Sequence, residues 1–287
     1  MNHIATSWID LHMHSTASDG ELETPALMAL LARSGVKVAA LTDHDSVAGL
    51  ASARLAGEEQ GVQLINGVEL SARWDAYDIH VVGLNIDPLD ATFAGHLEQQ
   101  MTRRRKRAEI IAARLEKLGF PPLYEAAAAA APQGIPARPH FARALVAAGI
   151  CRQERDAFAK YLAQGKPAYV KTEWPGVDEA VAWIRAAGGV AVLAHPHRYK
   201  MTRTRLTSLI RFFAESGGQA MEVVSANQDP SSVGQLAQLA SQFQLYASMG
   251  SDYHGPSMRW VLPGRMPVLP SRCQPVWSLL GIEEPRS

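Results

Sequence analysis

Histidines and carboxylates gather in five short segments of the chain, each within or at the end of an apolar run. Imidazole and carboxylate groups without cysteine suit Zn²⁺, Mn²⁺ or Fe²⁺ ions that keep exchangeable water sites. Ions about 3.5–4 Å apart can bind both the attacking and the leaving oxygen of a phosphoryl transfer. The segments therefore predict a multi-metal hydrolase with nine candidate ligands: His12, His14, Asp19, His44, Glu69, His80, His195, Asp252 and His254.

The spacing within the first segment shows how these residues could serve a metal. His12 and His14 are two residues apart, and alternate side chains of an extended strand point to the same side, so both can reach one ion. Asp19 follows on a loop and can reach a second ion, while Glu69 is a natural bridging carboxylate. Five such segments in one chain favour metal binding over a set of unrelated surface or core histidines.

The elements that must position these ligands are short apolar strands alternating with helices. This alternation occupies the first third of the chain and resumes after Pro175, which indicates an α/β fold with a largely parallel sheet or barrel. Most ligands follow a predicted strand, and Glu69 is expected just past the strand at 62–65. The carboxyl ends of parallel strands meet on one face, which is where α/β barrels hold their active sites.

The middle of the chain has helical patterns and almost no strand. We therefore expect a barrel built from residues 1–95 and 172–287, with residues 96–171 forming a small helical insertion that caps the active site. This division also fits the length, because 287 residues can form one large barrel-type domain or two smaller ones.

Basic residues within this insertion are candidates for phosphate binding. Arg103, Arg104 and Arg107 lie within about one turn of a predicted helix and share a face. Arg138 and His140 precede another helix, whose N-terminus favours an anion. A basic run is most often a solvated helix face, but a neighbouring phosphoesterase site favours contact between these guanidinium groups and substrate phosphate.

Bulk properties exclude several classes of protein. The formal net charge is zero, so the molecule as a whole does not attract nucleic acid. Cys151 and Cys273 have no motif spacing, which argues against a disulfide framework and favours a reducing cytoplasm. The N-terminal residues lack the pattern of a signal peptide, and no apolar run reaches the length of a membrane span, so no membrane partner is expected.

The motifs resemble those of the polymerase-and-histidinol-phosphatase (PHP) family of metal-dependent phosphoesterases, over about residues 8–262. The resemblance rests on His12-x-His14 with Asp19, Thr42-Asp43-His44-Asp45, Glu69, His80, His195-Pro196 and Asp252-x-His254. It implies a distorted seven-stranded β/α barrel that holds three divalent ions, Mn²⁺ first and Zn²⁺ or Fe²⁺ as alternatives. The implied ligand sets are His12, His14, Glu69 and Asp252 for one ion, Glu69, His80 and His195 for the second, and Asp19, His44 and His254 for the third. The implied catalytic residues are Asp19, His44, Glu69, His195 and His254.

Within the family, the chain resembles the bacterial 3′,5′-nucleoside bisphosphate phosphatases. This narrower resemblance rests on the arginines of the insertion, the Arg138-x-His140 stretch, Arg198 after His195-Pro196, and the segment Gly250–His254. It implies removal of the 3′-phosphate from a bisphosphate such as pAp to leave AMP, and trimming of short 5′-phosphorylated RNA. The implied substrate-binding residues are Arg103, Arg104, Arg107, Arg138, His140 and Arg198.

Three alternatives remain open from the sequence, and one of them, an exonuclease that cuts short RNA or DNA, is compatible with the bisphosphatase because a 3′-nucleotide tail is a larger version of a 3′-phosphate. A histidinol-phosphate phosphatase could use the same metal site, but its cationic substrate requires an acidic pocket rather than an arginine-rich helix. A non-catalytic PHP binding module would be marked by a degraded ligand set, and here all nine positions are filled. The oligomeric state does not follow from the sequence.

Overall fold

The structure is a computed structural model that describes residues 4–131 and 134–284. Its strands are β1 Ile4–Thr6, β2 Ile9–Asp10, β3 Val38–Leu41, β4 Gln63–Trp74, β5 Tyr77–Leu84, β6 Val190–Leu193, β7 Ala220–Ser225, β8 Tyr246–Gly250 and β9 Arg265–Pro267. Its α-helices are α1 Thr24–Arg33, α2 Leu50–Gln60, α3 Ala91–Lys117, α4 Tyr124–Ala129, α5 Arg138–Ala147, α6 Glu154–Ala157, α7 Val177–Ala186, α8 Arg203–Glu215 and α9 Pro230–Gln242.

Seven strands form one nearly closed sheet, in the order β2-β3-β4-β5-β6-β7-β8. The two outer strands approach each other, since Leu11 N–H donates to the Met249 carbonyl at 3.1 Å. Just beyond, Asp252 N–H donates to the His12 carbonyl at 2.8 Å. This confirms the predicted α/β class with a seven-stranded barrel-like sheet, while β1 and β9 form a separate antiparallel pair.

One strand runs against the direction expected for a largely parallel sheet. β5 is antiparallel to both of its neighbours, β4 and β6. The cause is local, because Trp74 pairs with Tyr77 across a two-residue hairpin in which Asp75 has a φ of 53°. Such a turn reverses the chain immediately, whereas a parallel neighbour requires a long crossover. The sheet is therefore mixed.

The same hairpin corrects the expected position of Glu69. This residue was expected just past a strand at 62–65, but β4 continues to Trp74 and Glu69 lies in its middle, opposite Val82 of β5. His80 lies within β5, opposite Ser71. These two ligands therefore come from the length of a hairpin and not from the carboxyl ends of parallel strands.

The described residues bury two hydrophobic clusters. The larger fills the barrel and the space beneath its helices, and the smaller lies among the helices of the middle region. Helix α3 joins them, since Phe93 and Leu97 pack in the barrel cluster while Ile111 and Leu115 pack in the second. The boundary between barrel and insertion near residue 96 stays a prediction, and α3 itself extends across it.

Cys151 and Cys273 are both free, in agreement with the absence of a disulfide framework. Among the described helices, none is both long enough and apolar enough to cross a membrane.

Gly250, the last residue of β8, allows the closure that positions His12. A Cβ atom there would lie 2.3 Å from the His12 Cβ and 2.8 Å from the His12 backbone nitrogen. We expect Gly250→Ala to destabilise the protein by about 1–3 kcal/mol, because this overpacking must displace the strand that carries His12. Chemical denaturation in the presence of a chelator measures the change without a contribution from metal binding.

Gly95 provides the matched control, because it lies inside α3 and a Cβ atom there meets nothing within 4 Å. Gly95→Ala should stabilise the protein by roughly 0.5–1 kcal/mol through improved helix propensity. Equal effects of the two substitutions would contradict the close contact inferred at Gly250.

Candidate active site

All nine predicted ligands meet at the mouth of the barrel, around the carboxylate of Glu69. Glu69 Oε1 lies 3.4 Å from His12 Nε2, 2.9 Å from His80 Nδ1 and 3.0 Å from His195 Nε2. The other oxygen, Oε2, lies 3.3 Å from His14 Nε2 and 2.8 Å from His44 Nδ1. The three remaining ligands join this group through further contacts of 3.2–3.9 Å: Asp19, Asp252 and His254.

The loops after the strands deliver most of these ligands. His12 and His14 follow β2, and His44 follows β3, where it forms an isolated parallel bridge with Glu69. His195 and Asp252 follow β6 and β8, with φ angles of 31° and 52°. A left-handed conformation at residues other than glycine costs energy and persists only where surrounding contacts fix it, so these turns are shaped by the site.

The ring nitrogens and carboxylate oxygens face one another in a manner that suits metal ions. His12 Nε2 lies 3.3 Å from His14 Nε2. His44 Nδ1 and Glu69 Oε2 are 2.8 Å apart, yet both are buried atoms without a hydrogen-bond partner among the described residues, as are Asp19 Oδ1 and His195 Nδ1. Buried polar atoms rarely go without partners, so this convergence of orphan acceptors and donors fits cations between them.

The arrangement of these atoms defines three overlapping ligand groups. Their members are His14, Asp19, His44 and His254 in the first, His12, His14 and Glu69 in the second, and His44, Glu69 and His80 in the third. The first contains the set Asp19, His44 and His254 implied by the resemblance, and adds His14. The third replaces the expected His195 by His44, although His195 also contacts Glu69.

The charges of the site show how strongly it attracts cations. Burial opposes ionisation of Glu69, but the neighbouring histidines, first His80, hold the pKa of its carboxyl well below the ordinary value. Burial likewise disfavours a charged His14, yet Asp252 and Glu69 raise its pKa to about 10. Protons and metal ions compete for such ligands, so divalent ions would displace the proton from His14 and satisfy the same carboxylates.

Glu222 of β7 supports two of the ligands from behind. Its Oε1 accepts a 2.6 Å hydrogen bond from His12 Nδ1, and its Oε2 accepts one of the same length from the His195 backbone N–H. The first bond fixes the His12 ring with Nε2 directed at the site, and the second holds the unusual backbone of His195.

Asp43 supports the first loop in a similar way, a role that the sequence analysis missed. Its carboxylate accepts hydrogen bonds from the Ser15 backbone N–H at 2.8 Å and from the Ser15 and Ser18 hydroxyls at 2.6 Å each. These bonds fix the loop between His14 and Asp19. The one available signal was the position of Asp43 directly before His44.

A small cavity beside the ligand cluster, the anion pocket, is lined by three of the predicted arginines. Arg104, Arg107 and Arg138 line it together with Asp19, His44 and His80, and its volume is about 100 Å³. Burial, then the charges of Arg138 and Arg104, lowers the pKa of Arg107 to about 9. Burial also lowers the pKa of Arg138. A bound anion would relieve this crowding of positive charge.

Arg104 has a partner that the sequence analysis did not assign. Its Nε donates to the buried Asp45 carboxylate at 2.6 Å, and its Nη2 donates to the Ser71 hydroxyl at 2.9 Å. Gln100 Nε2 also donates to Asp45, at 3.0 Å. Together these contacts join α3 to the barrel and fix the direction of Arg104. Gln100 gave no signal in the sequence, because a single glutamine in a helix is ordinarily exposed.

The other predicted substrate residues lie in different places. Arg103 donates to Gln100 Oε1 at 3.1 Å and lies outside the anion pocket. His140 is buried, and its Nδ1 accepts a hydrogen bond from the Ala137 backbone N–H at 2.8 Å. Arg198 forms an ion pair with the ligand Asp252. The structure therefore brings Arg104, Arg107 and Arg138 together in one pocket. The other predicted substrate residues, Arg103, His140 and Arg198, lie outside it.

Comparison with known proteins identifies the family. Residues 10–116 match the sequence model of the PHP domain. The 5′-3′ exoribonuclease Rnm of Escherichia coli (strain K12) is 44% identical over 272 residues, which cover 94% of this chain and 92% of that protein. The 3′,5′-nucleoside bisphosphate phosphatase of Chromobacterium violaceum is 41% identical over 271 residues, covering 94% and 95%.

Solved structures agree with this assignment. A protein described as an amidohydrolase from Chromobacterium violaceum, with bound sulfate and no metal, superposes with a TM-score of 0.90 at 40% identity, covering 96% of each chain. A structure described as a putative metal-dependent phosphoesterase from Bifidobacterium adolescentis gives a TM-score of 0.81 at 27% identity, covering 98% of this chain and 96% of that one. With similarity over nearly the whole length and the full set of nine candidate ligands in place, the chain belongs to the PHP family of phosphoesterases.

Proposed function

We propose that the protein removes the 3′-phosphate from nucleoside 3′,5′-bisphosphates, such as pAp, to leave AMP. One observation carries this proposal: an anion pocket lined by three arginines directly adjoins the ligand cluster and shares Asp19, His44 and His80 with it. A substrate with two phosphates can place one in the anion pocket and the other at the ligand cluster. The names of the bisphosphate phosphatase and exoribonuclease relatives support the same class of substrate.

The cofactors in this proposal are three divalent ions, with Mn²⁺ as the preferred metal. The nine candidate ligands around Glu69 would hold them, with Glu69 shared between two of the ions because both of its oxygens face histidines. When bound, the ions supply Lewis acidity at the phosphoryl oxygens and an activated water. Nitrogen and oxygen ligands without thiolate suit such ions.

The catalytic work assigned to the chain itself is orientation and proton transfer. Glu69 and His195 would fix the base of the site, with Glu222 holding the backbone of His195. Asp19, His44 and His254 would face the reacting phosphate on the side of the anion pocket. The side chain of His254 is 22% exposed, so it can exchange protons with water, and we assign it to the leaving ribose oxygen.

The 5′-phosphate would bind in the anion pocket. Arg107 and Arg138 have no described carboxylate within ion-pair distance, whereas Arg104 is already paired with Asp45. We therefore assign Arg107 and Arg138 to direct phosphate binding and Arg104 to shaping the pocket. A cationic histidinol phosphate would meet these arginines unfavourably, although Asp78 also lines the pocket.

Trimming of short 5′-phosphorylated RNA is a second activity of the same site. In this reaction the rest of the RNA chain takes the place of the terminal 3′-phosphate, so the two activities share one geometry. The exoribonuclease relatives of Escherichia coli and Haemophilus influenzae, 44% and 43% identical, support it. A non-catalytic binding module does not account for the complete set of ligands.

Metal content provides the first test of this proposal. Protein loaded with Mn²⁺ should contain three ions per chain by elemental analysis. His80→Ala should lose mainly one ion, because the 2.9 Å contact of His80 with Glu69 belongs to one ligand group while the other groups remain complete. A single ion in the wild type, or loss of every ion in the variant, would contradict the three-ion site.

The arginines provide the second test. A charge-assisted contact contributes about 1.5–3 kcal/mol, so Arg107→Ala or Arg138→Ala should lower kcat/KM for pAp roughly ten- to hundredfold. Hydrolysis of 4-nitrophenyl phosphate should change little, because it has no second phosphate. Metal content should remain at the wild-type value, since neither arginine is a candidate ligand.

Arg105→Ala is the matched control, because Arg105 is exposed on the same helix and does not line the anion pocket. It should leave the hydrolysis of both substrates unchanged. If Arg107→Ala and Arg138→Ala reduced both activities equally, the arginines would act on the reacting phosphate or on folding, and the bisphosphate proposal would fail.

A further inference from the structure

A second basic cavity, the outer groove, adjoins the anion pocket. Its volume is about 550 Å³, against about 100 Å³ for the pocket. Arg107 and Trp174 line both cavities, so the groove begins at the wall of the pocket. Arg103, one of the predicted phosphate-binding arginines that lie outside the pocket, lines this groove instead.

The outer groove has a surplus of positive charge. Arg103, Lys106, Arg107 and Lys171 line it, against two carboxylates, Glu173 and Glu179. One of these carboxylates already has a partner, because Glu179 Oε2 accepts a hydrogen bond from the Gly176 N–H at 2.8 Å at the start of α7. The charge balance of this groove therefore favours an anionic ligand.

Two buried polar groups at the groove have no partner among the described residues. Thr172 is only 7% exposed, and its Oγ1 makes no hydrogen bond. Arg107 Nε is likewise buried without a partner. Leaving such groups without partners is costly, and both could donate to an anion that extends from the pocket into the groove.

The remaining surface of the groove suits phosphate better than a nucleobase. Trp174 is the one aromatic residue among those lining it, and it is 8% exposed. The guanidinium groups of Arg104 and Arg107 lie 5.5 and 5.7 Å from the centre of its ring. Because these cations cover the ring, it offers little surface for stacking of a base.

We propose that the outer groove binds the additional phosphates of a 5′-di- or triphosphorylated nucleotide or RNA end. This inference rests on the proposed function, in which the phosphate next to the ribose occupies the anion pocket. The next phosphates then pass Arg107 and meet Lys106, Lys171 and the Thr172 hydroxyl. The enzyme would accept 5′-triphosphorylated as well as 5′-monophosphorylated substrates, with the groove adding affinity for the longer phosphate chain.

Competitive inhibition tests this groove directly. AMP and ATP would be compared as inhibitors of 4-nitrophenyl phosphate hydrolysis by the Mn²⁺-loaded protein, with Mn²⁺ in excess over nucleotide. ATP should inhibit at least about tenfold more strongly than AMP. Lys106→Ala and Lys171→Ala should each weaken inhibition by ATP about three- to tenfold. The factor is modest because both side chains are exposed to water. Thr172→Val should weaken inhibition by ATP to a similar extent. All three substitutions should leave inhibition by AMP unchanged.

The same variants would be assayed on pAp and on its 5′-triphosphorylated counterpart. Losses should be confined to the triphosphate, and Arg105→Ala, which removes a neighbouring charge outside the groove, should change neither substrate. The proposal is overturned if ATP and AMP inhibit the wild type equally, or if the variants weaken inhibition by ATP and by AMP to the same extent. Failure to hydrolyse pAp while ATP remains the tighter inhibitor would instead reject the proposed function and leave the groove intact.

Discussion

The buried carboxylate of Glu69 is the group on which the rest of the site depends. It is inaccessible to solvent and contacts five histidines, which come from four different segments of the chain. Burying a carboxylate is costly unless it is paired, so these segments can approach only if they bring compensating charge. The β4–β5 hairpin sets two members of this group, Glu69 and His80, side by side, and closure between β2 and β8 brings the others to them.

Surrounding carboxylates hold this arrangement in place. Glu222 joins His12 to the backbone of His195, and Asp43 ties down the loop between His14 and Asp19. Contacts of this kind fix ring orientation and reduce the reorganisation that metal binding requires. The Glu222 contact also helps the left-handed backbone at His195 to persist, and the bond from the Asp252 N–H to the His12 carbonyl acts in the same way at Asp252, because strain is tolerated where surrounding contacts determine one conformation.

The mouth of the barrel divides into two compartments of opposite charge. The ligand cluster combines six histidines with three buried carboxylates and suits cations, whereas the anion pocket brings three guanidinium groups together and suits an anion. Helix α3 creates this division, since its first turns pack on the barrel and Arg104 joins Asp45 across the junction. With divalent ions in the ligand cluster, both compartments would present positive charge, one to each phosphate of a ribose 3′,5′-bisphosphate, and this is the physical basis of the proposed specificity.

The sequence by itself determined the chemistry of the site, because few residue types bind divalent ions and all nine candidates appeared with ligand spacing. It also determined the α/β class, and it predicted a group of arginines for phosphate binding, three of which line one cavity beside the ligand cluster. Only the tertiary structure decided the antiparallel direction of β5, the central place of Glu69, the pairing of Arg104 with Asp45 and the separation of Arg103 from the pocket. Local periodicity specifies which face of an element is buried. It does not specify which distant side chains meet there, because that depends on strand order and on packing between elements far apart in the chain.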